Sequence, residues 1–325
     1  MQIMLRAIAL VSVLGWIHPA GAAEENWPKS LTVATASPGG VYYVYGDAVA
    51  QLLTERLNIT VNALPTQGPV HNVRLVQSGD VGLGLITMGV GLQAWKGAAE
   101  WTKQQQLRNI RALFPMYDTT FQFVVLRKSK FRALADMQGA RVGVGPRAGT
   151  GGTYVPAMLK TLNVQAEIGN GSFADIATEL VGGRFDAVIL AGGAPFPAFR
   201  ETESKEPLEF ISLLPAEIQA VRTAMPELSL SRIPAGTYAS LTADYETVGV
   251  YNFAIANANL PRSLAYAIVK TVHENHNELV KRHSAATETL AVNVEKNTFL
   301  PFHPGAVDYY REIGISVPKE LVPSD

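Results

Sequence analysis

The sequence contains no cysteine, which excludes disulfides, zinc–thiolate and iron–sulfur centres and thiol nucleophiles together. It is also poor in charge: 17% of its 325 residues are Asp, Glu, Lys or Arg, with 27 basic residues against 28 acidic ones. A formal net charge of −1 leaves no overall electrostatic footprint for nucleic acid. Apolar runs of spanning length are missing too, since crossing a bilayer takes roughly 20 residues and the run over 7–17 is broken by His18-Pro19. What remains is a globular composition, 47% hydrophobic, long enough for one large domain or two ordinary ones. It carries a surplus of glycine, 28 residues, of which twelve fall within 139–193 and six within 79–97.

The N-terminal segment reads as a secretory signal peptide over 1–22. A short positive start over 1–6 precedes the apolar run, and Ala20-Gly21-Ala22 supplies a small-residue cleavage site. With no cysteine there to carry a lipid, the mature chain is expected to be soluble, periplasmic and not membrane-anchored.

From Leu31 onward short apolar runs alternate with amphipathic stretches, the pattern of an α/β protein with largely parallel strands. Strands are expected over 31–36, 59–63 and 81–86, each followed by a turn and a helix, the helices over 43–57, 71–78 and from 90. A second region repeats this organisation, with strands over 141–145, 165–168 and 187–191 and helices over 154–162 and 173–181. Two extended β-rich stretches, 120–127 and 247–256, join the regions, and a single long helix is expected over 262–283. Two α/β units joined by two crossings would leave a cleft between two lobes. Boundaries at 23–122 plus 252–325 for lobe I and 123–251 for lobe II follow from that pattern.

The glycine clusters carry the best chemical argument. Each follows a strand and precedes a helix, where unpaired backbone N–H groups and the positive end of the helix dipole face outward. Open α/β sheets bind ligands at that edge, and glycine lets backbone approach a ligand closely. Such sites suit a carboxylate or phosphate. Gly143-Val144-Gly145 is not a dinucleotide fingerprint, because the next glycine is Gly149 and the G-x-G-x-x-G spacing fails. A nucleophile elbow and an H-E-x-x-H helix are both absent. His273, His276 and His283 fall near one helix face, but His283 would lie roughly 10 Å along the axis from His276, too far to share a metal. His276 instead continues the apolar stripe of Ala265, Val269, Val272 and Leu279 as a partly buried structural residue. No cofactor or metal site and no enzymatic constellation is expected. Tyr42 and Tyr43, one residue after Gly39-Gly40, are placed to wall a ligand.

Several motifs resemble those of the TAXI solute receptors, the extracytoplasmic binding proteins of TRAP-type transporters. They include Thr35-Ala36-Ser37-Pro38-Gly39-Gly40-Val41-Tyr42-Tyr43, Gln67-Gly68-Pro69-Val70-His71-Asn72, Asp136-Met137-Gln138-Gly139 and Gly192-Gly193-Ala194-Pro195-Phe196, and the ordered set continues to His303-Pro304-Gly305-Ala306. The resemblance implies a two-lobed type II periplasmic-binding-protein fold, two Rossmann-like α/β domains joined by two hinge strands. It implies closure on a small organic anion and its delivery to membrane permease subunits. It places ligand contacts at Gly40, Val41, Tyr42, Tyr43, Asn72, Thr87, Met88, Gly149, Thr150, Gly151, Gly152, Thr153 and Gly193.

The sequence departs from the family pattern at Gly68-Pro69, where Gly-Ser is usual, at Thr87-Met88-Gly89, where Gln-Ser-Asp is frequent, and at Ala148–Thr153 in place of a Ser-Gly-Thr turn. Losing polar groups at two turns points away from glutamate, because a buried donor without a partner costs about 1–3 kcal/mol. The expected ligand is a small carboxylate with a less polar remainder, with Arg147 placed to engage it. A ligand-binding sensor module needs the same closing cleft and stands as the second reading.

Overall fold

The computed structural model describes residues 26–323, so the segment read as a signal peptide lies outside the described residues. The chain opens with three strand–helix units: β1 (Ser30–Ala34) and α1 (Val41–Leu57), β2 (Thr60–Leu64) and α2 (Pro69–Ser78), β3 (Leu83–Thr87) and α3 (Met88–Lys96). Their limits follow local chemistry. Gly79 and Gly97 end α2 and α3 in the left-handed region, at φ 83° and 66°, where glycine carries no steric penalty. All five residues of β3 are buried, as befits a strand covered on both faces.

A 17-residue strand, β4 (Ile110–Leu126), leads into the second region. There follow β5 (Arg141–Gly143), α4 (Thr150–Thr161), β6 (Glu167–Gly169), α5 (Phe173–Val181), β7 (Ala187–Gly192), α6 (Pro197–Glu203), β8 (Leu208–Phe210), α7 (Pro215–Ala224) and β9 (Ser229–Ile233). The 13-residue β10 (Tyr245–Asn257) then returns to the first region.

All ten strands form one sheet, in the order β2-β1-β3-β10-β4-β7-β5-β6, with β8 added to β4 and β9 to β10. The strands β2, β1 and β3 are mutually parallel, as are β7, β5 and β6, whereas β10 and β4 run antiparallel to their neighbours. The two long strands pass between the halves of the sheet together, pairing Gly249 with Thr120 and Val250 with Thr119. The expected stretch 120–127 is thus the end of a longer strand that begins at Ile110, because pairing with β10 keeps Asp118 and Thr119 extended. The result is the α/β architecture of the type II periplasmic-binding proteins, a curled mixed sheet in two lobes with a cleft between them.

Two expectations need correction. The glycine-dense stretch after β5 is not a free turn: Gly149 is the N-cap and α4 begins at Thr150. The first turn closes because Thr153 donates to Gly149 O through both its N–H (3.0 Å) and its hydroxyl (2.8 Å). The long helix over 262–283 is two helices, α8 (Arg262–Glu274) and α9 (His276–Arg282), broken at Asn275. The Asn275 side chain donates to Thr271 O at 2.8 Å, the kind of local bond by which Asn competes with helix propagation. His276 is half-buried, with Nε2 2.7 Å from Ala286 O. A last helix, α10 (Pro304–Glu312), packs on α8. Fully buried aromatics line the spine of the sheet, Phe114, Phe121 and Phe123 on β4 and Phe253 on β10; each such ring stabilises the fold by about 1.5–3 kcal/mol.

Candidate functional site

The starts of five helices meet where the two halves of the sheet face one another. Val41 and Tyr42 begin α1, Gly68 and Pro69 begin α2, Gly149 and Thr150 begin α4, Phe173 begins α5 and Phe196 caps α6. Together with Ala36, Thr119, Ala191 and Gly192 they enclose a cavity offering about 20 Å³ to the centre of a water-sized sphere, the scale of one or two waters. None of these lining residues is charged. The field inside is therefore set by backbone dipoles, whose positive ends point inward.

Those helix starts divide into two groups by what their N–H groups already bind. At α5, Ala174 N donates to Pro38 O (3.3 Å) and Phe173 N to Ser37 Oγ (3.4 Å); at α6, Ala198 N donates to Gly39 O (3.1 Å). At α2, Val70 N donates to Ala148 O (3.1 Å). These bonds cross the cleft, so three helix starts are used to hold the lobes together. The other two, α1 and α4, have glycine N-caps, Gly40 and Gly149, and no side chain caps them. Their leading amides are the donors an anion in the cavity would meet.

Close approach of the walls depends on glycine. Gly68 has φ +108°, and a Cβ on it would stand 3.0 Å from Gly149 Cα. A Cβ on Gly40 would stand 2.6 Å from the Phe173 ring. The polar members of the wall are Tyr42, Thr119 and Thr150. Thr150 Oγ1 lies 3.3 Å from Thr87 Oγ1 across the cleft, and Tyr42 and Thr119 both bond Asn252 Oδ1, at 2.5 and 2.9 Å. Burial holds the Tyr42 phenol well above its usual pKa, so it stays protonated.

Of the residues singled out from sequence, Val41, Tyr42, Gly149 and Thr150 line the cavity, with Thr87 and Gly40 behind its walls. Asn72 is buried outside the lining: Nδ2 donates to Thr35 O and Leu85 O, both at 2.7 Å, and Oδ1 accepts from Thr66 Oγ1 at 2.6 Å. It joins Thr35 to β3 and spends both of its amide protons there, keeping one free lone pair on Oδ1, and it is not among the residues that line the cavity. Met88 is buried at the start of α3, away from the lining. Gly151 and Gly152 seat α4 against the carbonyls of Val144 and Pro146, and Gly193 lies against the Tyr117 ring. Tyr43 is 38% exposed, and Arg147 is exposed in a separate open groove with Arg74 and Trp101.

Sequence reasoning missed Phe173, Phe196 and Thr119 in the wall and Asn252 behind it. Only Asn252 carried a signal, as a lone amide inside the apolar run of β10. It sits where the β4–β10 register slips between Tyr251 and Phe253, an irregularity that re-aims a side chain.

The NMT1-like family model matches residues 33–314. The chain belongs to the NMT1-like family. Among solved structures it is similar to PhnD1 from Prochlorococcus marinus (MIT 9301) in complex with methylphosphonate, at 14% identity and a TM-score of 0.52 over 88% of this chain and 98% of that one. It also resembles the putative L-cystine ABC transporter from Listeria monocytogenes, with 14% identity, a TM-score of 0.48 and 81% and 96% coverage of the two chains. The GluR0 ligand-binding core from Nostoc punctiforme in complex with (L)-glutamate gives 15% identity, a TM-score of 0.47 and 80% and 98% coverage. At these identities the likeness concerns the fold. No helix among the described residues is long and apolar enough to cross a membrane.

Proposed function

We propose that the chain is an extracytoplasmic solute-binding receptor that captures a small organic anion between its lobes and delivers it to a TRAP-type membrane permease. The observation that carries this reading is the pair of uncapped helix starts, α1 and α4, on opposite walls of a cavity without charged lining residues. A carboxylate there neutralises two dipole ends at once. Glutamate would bring a second carboxylate and an ammonium, for which the lining has no side-chain partner, so the ligand is less polar. The lining holds no Asp, Glu, His, Lys or Cys, which supports binding without catalysis. The lobes are assigned as 23–122 plus 252–325 and 123–251, with β4 and β10 as hinge strands. Closure is then favoured by the contacts that the ligand makes to both walls. The ordered TAXI-like motifs support the TRAP permease as partner and the periplasm as location.

Mass spectrometry of small molecules released from the native, undialysed protein tests the reading. Recovery of an organic anion is expected, and recovery of a cation or an uncharged sugar overturns it. Uptake of that anion by vesicles carrying the cognate TRAP permease, only when the receptor is added, tests delivery.

A further inference from the structure

The hydroxyls of Tyr42 and Thr119 converge on a single atom. Tyr42 Oη lies 2.5 Å and Thr119 Oγ1 2.9 Å from Asn252 Oδ1, while Asn252 Nδ2 lies 2.5 Å from Tyr117 O. A backbone carbonyl has no proton to give, so the Asn252 atom facing Tyr117 O must be the amide nitrogen. Its other terminal atom is then the oxygen, which only accepts. Each hydroxyl has one proton, and both protons are spent on Asn252 Oδ1, whose two lone pairs take them. Asn252 is 0% exposed, and turning its amide would strand both the Tyr117 carbonyl and the two hydroxyls without partners. What Tyr42 and Thr119 offer to the cavity they line is therefore acceptor oxygen alone.

A cavity with amide donors at the starts of α1 and α4 and acceptor-only oxygens at Tyr42 and Thr119 is complementary to a molecule carrying both an anion and a neutral hydrogen-bond donor. A keto oxygen or second carboxylate placed against Tyr42 and Thr119 would face lone pairs. An ammonium there would meet no acidic side chain and the positive ends of two helices. From this arrangement we infer that the ligand is a short hydroxy-carboxylate, its carboxylate at the starts of α1 and α4 and its hydroxyl donating to Tyr42 Oη or Thr119 Oγ1. The inference rests on the receptor reading above and narrows its ligand. As the walls stand the free volume is that of one or two waters, so they must part to admit any acid, and a short one asks for the least movement.

The test is calorimetric titration of ligand-stripped protein with matched pairs: glycolate and acetate, lactate and propionate, 2-hydroxybutyrate and butyrate, with pyruvate against lactate. In the best-fitting pair the hydroxy acid is expected to bind about tenfold tighter than its partner, the effect of a buried acceptor gaining or losing its donor. Pyruvate is expected to bind more weakly than lactate. T119V and Y42F remove one acceptor each with little change of shape, and each should lower the affinity of the hydroxy acid more than that of its plain partner, shrinking the preference for the hydroxyl. Unchanged thermal melting confirms that the variants fold. A plain acid that binds as tightly as its hydroxy partner overturns the inference and leaves the receptor reading standing, as does recovery from native protein of an organic anion without a hydroxyl. Failure of every hydroxy acid to bind overturns it as well. Recovery of no organic anion at all is the outcome that removes the receptor reading beneath it.

Discussion

The Tyr154 hydroxyl occupies the space beside Gly89 that any side chain at position 89 would fill. Gly89 belongs to α3 in the first lobe and Tyr154 to α4 in the second, and the phenol is held there by Glu227 Oε1 at 2.9 Å. Tyr154 is 2% exposed, so moving it aside would disturb the packing around its ring. This contact stands beside the Ala174–Pro38, Ala198–Gly39 and Val70–Ala148 backbone bonds as the means by which the lobes meet. The absence of a side chain at position 89 is what lets the tyrosine seat.

Gly89→Ala should therefore act on closure. The added methyl overlaps Tyr154 only when the lobes are together, and overpacking costs typically about 1–3 kcal/mol. Affinity for the anion found in native protein is expected to fall about tenfold or more, with unfolding of the ligand-free chain little changed. Calorimetric titration alongside urea unfolding checks both halves, and an affinity within about twofold of wild type rules the seat out as a closure contact.

Thr150 and Tyr43 separate the cavity from its rim. Thr150 lines the cavity and its hydroxyl pairs with Thr87, so Thr150→Val removes a polar contact whose loss is expected to weaken binding about tenfold. Tyr43 is turned partly to solvent and is not among the lining residues, and Tyr43→Ala should leave affinity within about twofold. The reverse order of effects would place the ligand outside this cavity.

How far the site was legible depends on what each residue does. Gly40 and Gly149 were readable because a glycine between strand and helix marks a helix start, and helix starts are where the dipoles point. Phe173 and Phe196 were not, because in sequence an aromatic at a helix start looks like any core residue; only the approach of the first lobe turns those rings into a wall. Asn72 presents the opposite case. A polar residue early in a helix beside Gly68-Pro69 reads as a ligand contact, yet both of its amide protons go to Thr35 O and Leu85 O, its Oδ1 accepts from Thr66 Oγ1, and it lies outside the cavity lining. The hinge strands were readable from their apolar runs, but the slip at Asn252 depends on pairing with β4, which local sequence does not encode.

His303 gives the fold a dependence on acid. It caps α10, with Nδ1 accepting from Gly305 N at 3.3 Å, and burial lowers its pKa from 6.5 to about 4. The unfolded chain thus binds a proton that the folded chain refuses, so the stability is whole above pH 6.5 and declines as the pH falls toward 4. His303→Asn keeps a good capping side chain without the titration. Its urea-unfolding stability at pH 4.5 relative to pH 7 should fall less than that of wild type, whereas parallel declines would show that His303 is not the source. His273, also lowered to about 4 by burial, leaves part of the slope in the variant.

An anion held by backbone dipoles behaves differently from one held by an arginine. Arg147 is exposed in the groove it shares with Arg74, outside the cavity, although its place beside Gly149 made it the natural partner for a carboxylate. Charges exposed to solvent are screened within about 10 Å at 0.1 M salt, whereas buried interactions are screened much less. If the anion sits against the starts of α1 and α4, its dissociation constant should change less than about threefold between roughly 0.05 and 0.5 M salt, and Arg147→Ala should leave it within about twofold. A tenfold loss in Arg147→Ala, together with weakening by salt, would move the bound anion out to the Arg74–Arg147 groove and leave the cavity with another role.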